Sequence, residues 1–483
     1  MYKRQVLGVF GEWEAREEQK AYALGSLGYG TNWEDESYQT VSGQNANNSV
    51  RVSDDFMHAV REDGDWQLKG RVDDSVNKTV KAIDLWQQIC KSAHGCADPG
   101  LIFSDTVNHW NTTPNSGEIR TCNPCAEHWR LDNSACNLAS INLGKFIGKT
   151  DKLDIPAFGR AVELFIRVLD TSVDKAGYPS KAICETTHQF RDLGLGYANL
   201  GGVLMSLGLP YDSDKGRCFA ASVTSLMTAI AYCTSAELAK EKGAYPAFAE
   251  NREDHLRVLD AHIIHDNLLY IDITNAGADD YIVNEAERVW RQAERLTKKY
   301  GQRNAQTTVI APTGTIALLM DCDTTGIEPA FALKSEKQVA KQSGGKGSTM
   351  TLTIGAVERG LEKLGYDGRQ IRKALDWIQV HGHLNGDDSP ISMASHQVFH
   401  TAMHGLTPEA HIKMVGACQP FVAGGISKTI NMPSNATVED ISKAYKLAHK
   451  LGLKCISIYR DGSKSQPLTA ECKTCSDDEA CEI

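Results

Sequence analysis

The sequence carries no excess of positive charge: its 483 residues hold 51 Lys and Arg against 61 Asp and Glu, a formal net charge of −10. A phosphate backbone is gripped by a basic surface, so nucleic acid is not an expected partner. No apolar run approaches the roughly 18 residues that span a bilayer, and the opening Met1-Tyr-Lys-Arg-Gln5 leads into the charged run Glu12 to Glu18 with no secretory apolar core. These absences point to a soluble, cytoplasmic protein with no membrane partner. Cysteine is not concentrated either. The 14 cysteines are scattered along the chain, whereas a small secreted scaffold sets them at short intervals. Internal repeats are absent and no shift of composition marks a boundary, so one compact unit is expected.

What is there suits a large core. Hydrophobic residues make up 41% of the chain, enough for a barrel or a large α/β sheet. Helical periodicity runs through Ala157, Ala161, Val162, Leu164, Phe165, Val168 and Leu169, through Leu226 to Leu238, and through the charged stretch Glu285 to Leu296. Thr307 to Ile310 is β-like, Ala311-Pro-Thr-Gly-Thr315 follows as a turn, and Ile316 to Met320 is apolar and helix-like. Lys341 to Ser348 reads as a surface loop, with a strand-like run from Thr351 to Ile354 after it. The alternation predicts an α/β architecture with a largely parallel sheet. The acidic stretch Glu471 to Cys481 reads as a mobile tail.

Chemistry concentrates in Arg120-Thr-Cys-Asn-Pro-Cys-Ala-Glu-His128, where Asn123, Cys125 and Glu127 fall at i, i+2 and i+4. An extended segment would put all three on one face. An amide, an oxidisable thiol and a carboxylate then meet at one point; the alternative is a buried cysteine beside an Asn-Pro turn. Cys136 is near enough in sequence to fold back as a hairpin partner, and burial would explain it equally well. At Pro312, Thr313, Gly314, Thr315 and Ile316, a glycine, two hydroxyls and a helix N-terminus suggest an anion site; an ordinary Thr cap is the alternative.

Taken together, Asn-Pro-Cys-Ala-Glu, Cys136-Asn-Leu-Ala-Ser-Ile-Asn-Leu143, Ala-Pro-Thr-Gly-Thr-Ile316 and Asp321-Cys-Asp-Thr-Thr-Gly-Ile-Glu-Pro329 resemble, in this order, segments of ribonucleotide reductases. Gln44-Asn-Ala-Asn-Asn-Ser-Val-Arg-Val52, Arg191 to Gly201 and Gln419 to Pro433 extend the resemblance, which runs from about Glu12 to Gln466 and is worded like the class II, vitamin B12-dependent branch. The resemblance implies a ten-stranded α/β barrel, here incomplete at its N-terminal side, spanning residues 1–466, with a Cys-containing tail at 467–483. It also implies radical reduction of ribonucleotides, ribonucleoside diphosphates first among them, with adenosylcobalamin as cofactor and thioredoxin or a similar dithiol as reductant. By the same resemblance, Cys125 matches the thiyl-radical cysteine that takes the ribose 3′-hydrogen, Glu127 the carboxylate that takes the 3′-hydroxyl proton, and Asn123 the amide that holds the sugar. Cys136 matches one of the two reducing cysteines, and Pro312 to Ile316 the loop that seats the phosphates.

Departures from the family pattern set further expectations. The family's first redox cysteine lies upstream and has no counterpart here, so the chain is expected to be a fragment, a split-gene half or an incomplete gene model, served by a separate N-terminal half and inactive alone. Only Tyr459 stands where radical-subunit-fed relatives resemble one another in having two adjacent tyrosines. No Asp-x-His-x-x-Gly motif is present, and base-on binders do not need it. Cys472 and Cys475 read as an electron relay from thioredoxin, half of a zinc site or exposed thiols, with the relay favoured. His381, His383, His262 and His265 lack accompanying metal ligands and read as surface or core histidines, so no metal site is expected. The remaining cysteines, Cys122 and Cys455 among them, read as packing residues. Two rival functions stay open: the large subunit of a reductase fed by a separate dimetal radical protein, and a folded nucleotide-binding remnant.

Overall fold

The computed structural model describes residues 12–29, 37, 40–42, 46–70, 72–339, 348–463 and 468–470. Strands are numbered along the chain: β1 Ser49–Val52, β2 Asp65–Lys69, β3 Val76–Lys81, β4 Gly100–Phe103, β5 Thr121–Cys122, β6 Trp129–Arg130, β7 Asn137–Asn142, β8 Leu193–Ala198, β9 Lys334–Val339, β10 Ser348–Thr353, β11 Thr429–Met432, β12 Cys455–Arg460 and β13 Leu468–Ala470. One sheet has the order β1-β4-β12-β11, parallel at both ends and antiparallel between β4 and β12. β7 pairs in parallel with β8 over its full length.

An extended segment at 306–310 joins these two pieces into one arc. Leu193 and Leu195 donate their N–H groups to the carbonyls of Gln306 and Thr307 at 2.9 and 3.0 Å, and Val309 N–H returns a bond to Leu195. On its other side Gly424 N–H reaches Thr308 at 2.8 Å, Ile310 N–H reaches Gly425 at 2.9 Å, and Ser427 N–H reaches Ile310 at 2.8 Å, just ahead of β11. The expected strand at Thr307 to Ile310 is therefore extended, but paired only through the isolated bridges Leu195↔Thr308 and Ile310↔Ile426. The sheet differs from a largely parallel one because β2–β3, β5–β6, β9–β10 and β9–β13 are antiparallel ribbons. The fold is α/β, and among the described residues no closed ten-stranded barrel forms.

The three periodic segments are helices, longer than their periodic cores. Ile155–Lys175 begins where Asp154 accepts from Ala157 N–H, with Pro156 in the first turn, and buries Phe158, Val162, Ile166 and Leu169. Asp214–Lys242, capped by Ser213, is buried over most of its length because it lies between Ile155–Lys175 and the pair Phe248–Ala276 and Tyr281–Tyr300. It is long and apolar enough to cross a membrane, contrary to the expectation from run length; its small Ala, Ser and Thr residues hide the hydropathy, and 94% of its apolar window is buried inside the protein. Cys218 and Cys233 on this helix, like Cys90, Cys96 and Cys418 elsewhere, are buried free thiols. β13 follows residue 466, and residues 341–347 and 471–483, with Cys472, Cys475 and Cys481, lie outside the described residues.

Candidate active site

The segment around Cys125 is a turn, not an extended strand. β5 and β6 form a short hairpin with Cys122 opposite Trp129. Between them Ala126 has φ +63° and donates its N–H to Asn123 O at 3.0 Å. Period-two alternation therefore does not bring Asn123, Cys125 and Glu127 together; the turn separates them by depth. Cys125 is exposed, whereas Glu127 is only 3% exposed, with Oε2 lacking any hydrogen-bond partner. The Asn123 side-chain oxygen accepts from the N–H groups of Glu127 at 3.1 Å and His128 at 2.9 Å, so this amide holds the loop and offers outward only its NH2.

Two outside anchors fix the turn. Gly425 N–H donates to Glu127 O at 2.7 Å, and Asn47 Nδ2 donates to Pro124 O at 3.2 Å. A Cβ at Gly425 would lie 2.6 Å from Ala126 O and closer still to the Trp129 indole, so this approach needs glycine.

Cys136 arrives by a different route from the expected hairpin. It immediately precedes β7, whose partner is β8, and a Cβ at Gly194 would lie 2.7 Å from its sulfur. Gln306 joins the two loops: its Nε2 lies 4.0 Å from Cys136 Sγ and 3.2 Å from His128 Nδ1, and His128 Nε2 lies 3.1 Å from Ser134 Oγ. Burial, then the charges of Asp192 and Glu127, push the Cys136 thiol well above its ordinary pKa. Desolvation and the Glu127 carboxylate also raise Cys125, although that residue as a whole is exposed. Cys122 is pushed up to about 12 by burial, with Glu127 and Cys125 adding to it. At neutral pH all three sulfurs are protonated, the form from which a hydrogen atom can be taken.

Cys125 and Pro312 line one cavity of about 450 Å³, together with Asn47, Asn48, Ser49, Ser427, Lys428, Cys455, Ser457 and Tyr459. The turn thus shares this space with Pro312, the first residue of the 312–316 loop, while Thr313 to Ile316 lie outside its lining. Gly314, Thr315 and Ile316 are exposed, but Thr313 is turned inward, with φ +49° and its hydroxyl 2.8 Å from Ser140 Oγ. Of the two hydroxyls expected to face an anion, one is therefore spent on the fold. The helix that follows, Thr315–Leu319, is a single turn, so its N-terminal dipole is weak.

On the cavity wall, buried Lys428 bonds Glu328 of the Asp321 to Pro329 segment and lies 2.6 Å from His411 Nδ1. Gln306, Lys428, Asn47 and Asn48 were missed as site residues. The last three belong to the Gln44 to Val52 and Gln419 to Pro433 segments, whose family wording was the only available signal. The histidines pair with rings: His262 stacks on Trp290 with 5.6 Å between centroids, and His381 on Trp377 with 3.8 Å.

An α/β arc of strands carries the thiol-bearing turn and the loop after residue 311, and the ribonucleotide reductase barrel-domain model matches residues 29–459. The chain belongs to that family. It is 40% identical to a vitamin B12-dependent ribonucleotide reductase of Agrobacterium fabrum over 93% of this chain and 44% of that protein. It is 42% identical to one of Streptomyces coelicolor over 98% of this chain and 49% of that protein. A vitamin B12-dependent ribonucleoside-diphosphate reductase of Thermoplasma acidophilum is 32% identical over 88% of the chain and 49% of its own length. The chain spans about half the length of these curated relatives.

Proposed function

We propose that this chain carries the substrate-reducing face of a cytoplasmic, vitamin B12-dependent ribonucleotide reductase acting on ribonucleoside diphosphates. One observation carries the reading: the exposed Cys125 and Pro312 line the same cavity, with the buried, unpartnered Glu127 oxygen on the same turn as Cys125. A ribonucleotide anchored by its phosphates along Pro312 to Ile316 would present its sugar to Cys125. The Cys125 sulfur, as a thiyl radical, takes the 3′-hydrogen. Glu127 Oε2 takes the 3′-hydroxyl proton. Asn123 donates its NH2 to a sugar oxygen, its carbonyl oxygen being committed to the turn. Cys136 supplies one of the thiols consumed as the 2′-hydroxyl leaves as water, and Gln306 keeps that sulfur beside the turn. Cys472 and Cys475 would return the electrons from thioredoxin or another dithiol.

The residues present fit adenosylcobalamin. The cavity wall holds small neutral hydrogen-bonding side chains, Asn47, Asn48, Ser49 and Ser457, suited to an amide-fringed macrocycle, and no histidine lines it. Those four residues would hold it beside Cys125, and when bound it supplies the one-electron oxidation that makes the thiyl radical. We read the arc as part of a ten-stranded α/β barrel over residues 1–466, with 467–483 as the redox tail.

The test is deoxynucleotide formation from a ribonucleoside diphosphate with adenosylcobalamin and a dithiol. It is run on this chain alone and together with a polypeptide covering the remaining length of the relatives. Turnover that depends on Cys125 supports the reading. Absence of turnover in both arms, with nucleotide failing to shield Cys125 from alkylation, refutes it.

A further inference from the structure

Lys454 is a buried cation for which the proposed reaction has no use. It immediately precedes β12, is 1% exposed, and has no carboxylate bonded to it among the described residues. Its Nζ donates to the carbonyls of Val422 at 3.3 Å, Ala423 at 3.2 Å and Gly424, and the ring of Trp110 lies 5.5 Å away. An ammonium buried without a counter-ion is expensive to keep, so carbonyls that converge on it are held firmly. That segment is the strap on which the turn hangs. Gly424 N–H is bonded to Thr308 O, and Gly425 N–H to Glu127 O at 2.7 Å. Cys455, next in the chain, lines the cavity with Cys125 and donates its thiol toward Ala126 O at 3.7 Å.

We propose that Lys454 is a positioning residue for the reaction at Cys125: by gathering the carbonyls of Val422, Ala423 and Gly424 it aims Gly425 N–H at Glu127 and sets how the Glu127 carboxylate faces the thiol. The proposal rests on the reading of Cys125 as the reacting thiol, but its readouts do not need turnover. If Cys125→Ser retained reduction, the functional reading would fail while the geometry below could still be measured.

Desolvation lowers the Lys454 pKa to about 7, with Cys455 opposing. The titratable groups around it are Cys455, next in the chain, Cys122 and Glu127, whose charges act on Cys455, and His262 behind Trp110, which burial holds neutral with a pKa of about 3. The strap residues Val422 to Gly425 carry none. Once deprotonated, the ammonium is an amine with two hydrogens and can no longer donate to all three carbonyls.

The first experiment, on the full chain, follows Cys125 alkylation by iodoacetamide from pH 6 to 9, read by peptide mass spectrometry. It compares wild type, Lys454→Met, Lys454→Gln and a control in a separate core cluster, Leu361→Ala. Desolvation and Glu127 hold the Cys125 pKa up, so loosening the strap exposes the turn to water and frees more thiolate. Lys454→Met should raise the rate at pH 7.5 roughly three- to tenfold, since one pKa unit is a factor of ten in thiolate. Lys454→Gln should fall between it and wild type, and Leu361→Ala should leave the profile unmoved. A wild-type profile in folded Lys454→Met overturns the proposal and leaves Lys454 a structural cation. The second measurement needs no variant: in wild type, hydrogen exchange of the peptide containing Gly425 should accelerate beyond the base-catalysed slope once the Lys454 ammonium loses its proton, somewhere between about pH 6 and pH 10. A plain base-catalysed slope across that whole range overturns the proposal even if neither lysine variant folds.

Discussion

The helical side of the molecule and the face around Cys125 satisfy their polar groups in opposite ways. In the helix Asp214–Lys242, Ser222, Thr224 and Thr234 donate to carbonyls four residues back, and Thr297 does the same in Tyr281–Tyr300. Such bonds form wherever the helix forms. Around Cys125 they cross the chain. Ser140 meets Thr313, Gln306 meets His128, and Lys454 meets the 422–424 carbonyls. The helical side has long-range bonds too, Ser225 to Asp266 and Ser235 to Asn304 among them, but its elements are set by local periodicity, whereas the docking of the turn exists only once distant segments have met. A change on the helical side should therefore act on stability, and one at the turn on chemistry.

The largest expected effect is at Cys125. Cys125→Ser removes the readily oxidised sulfur and should abolish reduction in any competent assembly while leaving the unfolding temperature near wild type, because the side chain is exposed. Residual turnover above about one per cent, a barrier difference of only about 3 kcal/mol, would break the assignment. Cys136→Ser should leave nucleotide binding and a single turnover's radical step intact and stop multiple turnovers with a dithiol. Normal repeated turnover would make Cys136 a packing residue.

Gly194→Ala tests where the two regimes touch. The new methyl would lie 2.4 Å from the Leu138 side chain and 2.7 Å from Cys136 Sγ. It should cost about 3 kcal/mol of stability by overpacking and disturb Cys136 as well. Denaturant unfolding reads the first effect and Cys136 alkylation the second.

On the helical side, Asp266 is buried, accepts from Ser225 at 2.5 Å, and has its pKa raised from 3.8 to about 6 by burial, with the Ser225 bond opposing and Glu287 adding to it. The folded state thus holds this proton more tightly than the unfolded state does. Stability from this group is complete below about pH 4 and falls as pH rises through 6. Asp266→Asn, which cannot ionise, should gain roughly 2 kcal/mol over wild type at pH 7 to 8 and nothing at pH 4. Equal differences at both pH values would show that Asp266 stays neutral or is solvated.

Legibility followed the same divide. Ala161 and Val162, or Glu285 to Leu296, declare a helix because the period is written into neighbouring residues. The 306–310 strand was visible as a β-like run, but its partners at 193–195 and 424–427 were not, since a bridge more than 100 residues distant leaves no local pattern. At the Asn-Pro-Cys turn the geometry differs from the alternation expected: alternation assumes an extended chain, and nothing in Asn-Pro-Cys-Ala-Glu announces that Ala126 takes a left-handed conformation. Lys454 gave no signal, because an isolated lysine in sequence reads as surface.

The smallest expected effect separates the fold from ligand approach most cleanly. Gly314 is exposed, has φ −72°, and a Cβ there would meet nothing within 4 Å. The surroundings therefore have room for a side chain at this position, and with ψ −91° just outside the helical well Gly314→Val should lower thermal unfolding by no more than a few degrees. A nucleotide phosphate seated on the backbone N–H groups of 314–316 would meet the new isopropyl group directly. The loss should be modest, roughly three- to tenfold in nucleotide Kd, or about 1 kcal/mol, because a one-turn helix adds little dipole and Thr313 contributes no free hydroxyl. Calorimetric titration with a ribonucleoside diphosphate measures it. Unchanged affinity in a variant that unfolds like wild type would move the phosphate site off this loop, and would leave the shared cavity without its anchoring side.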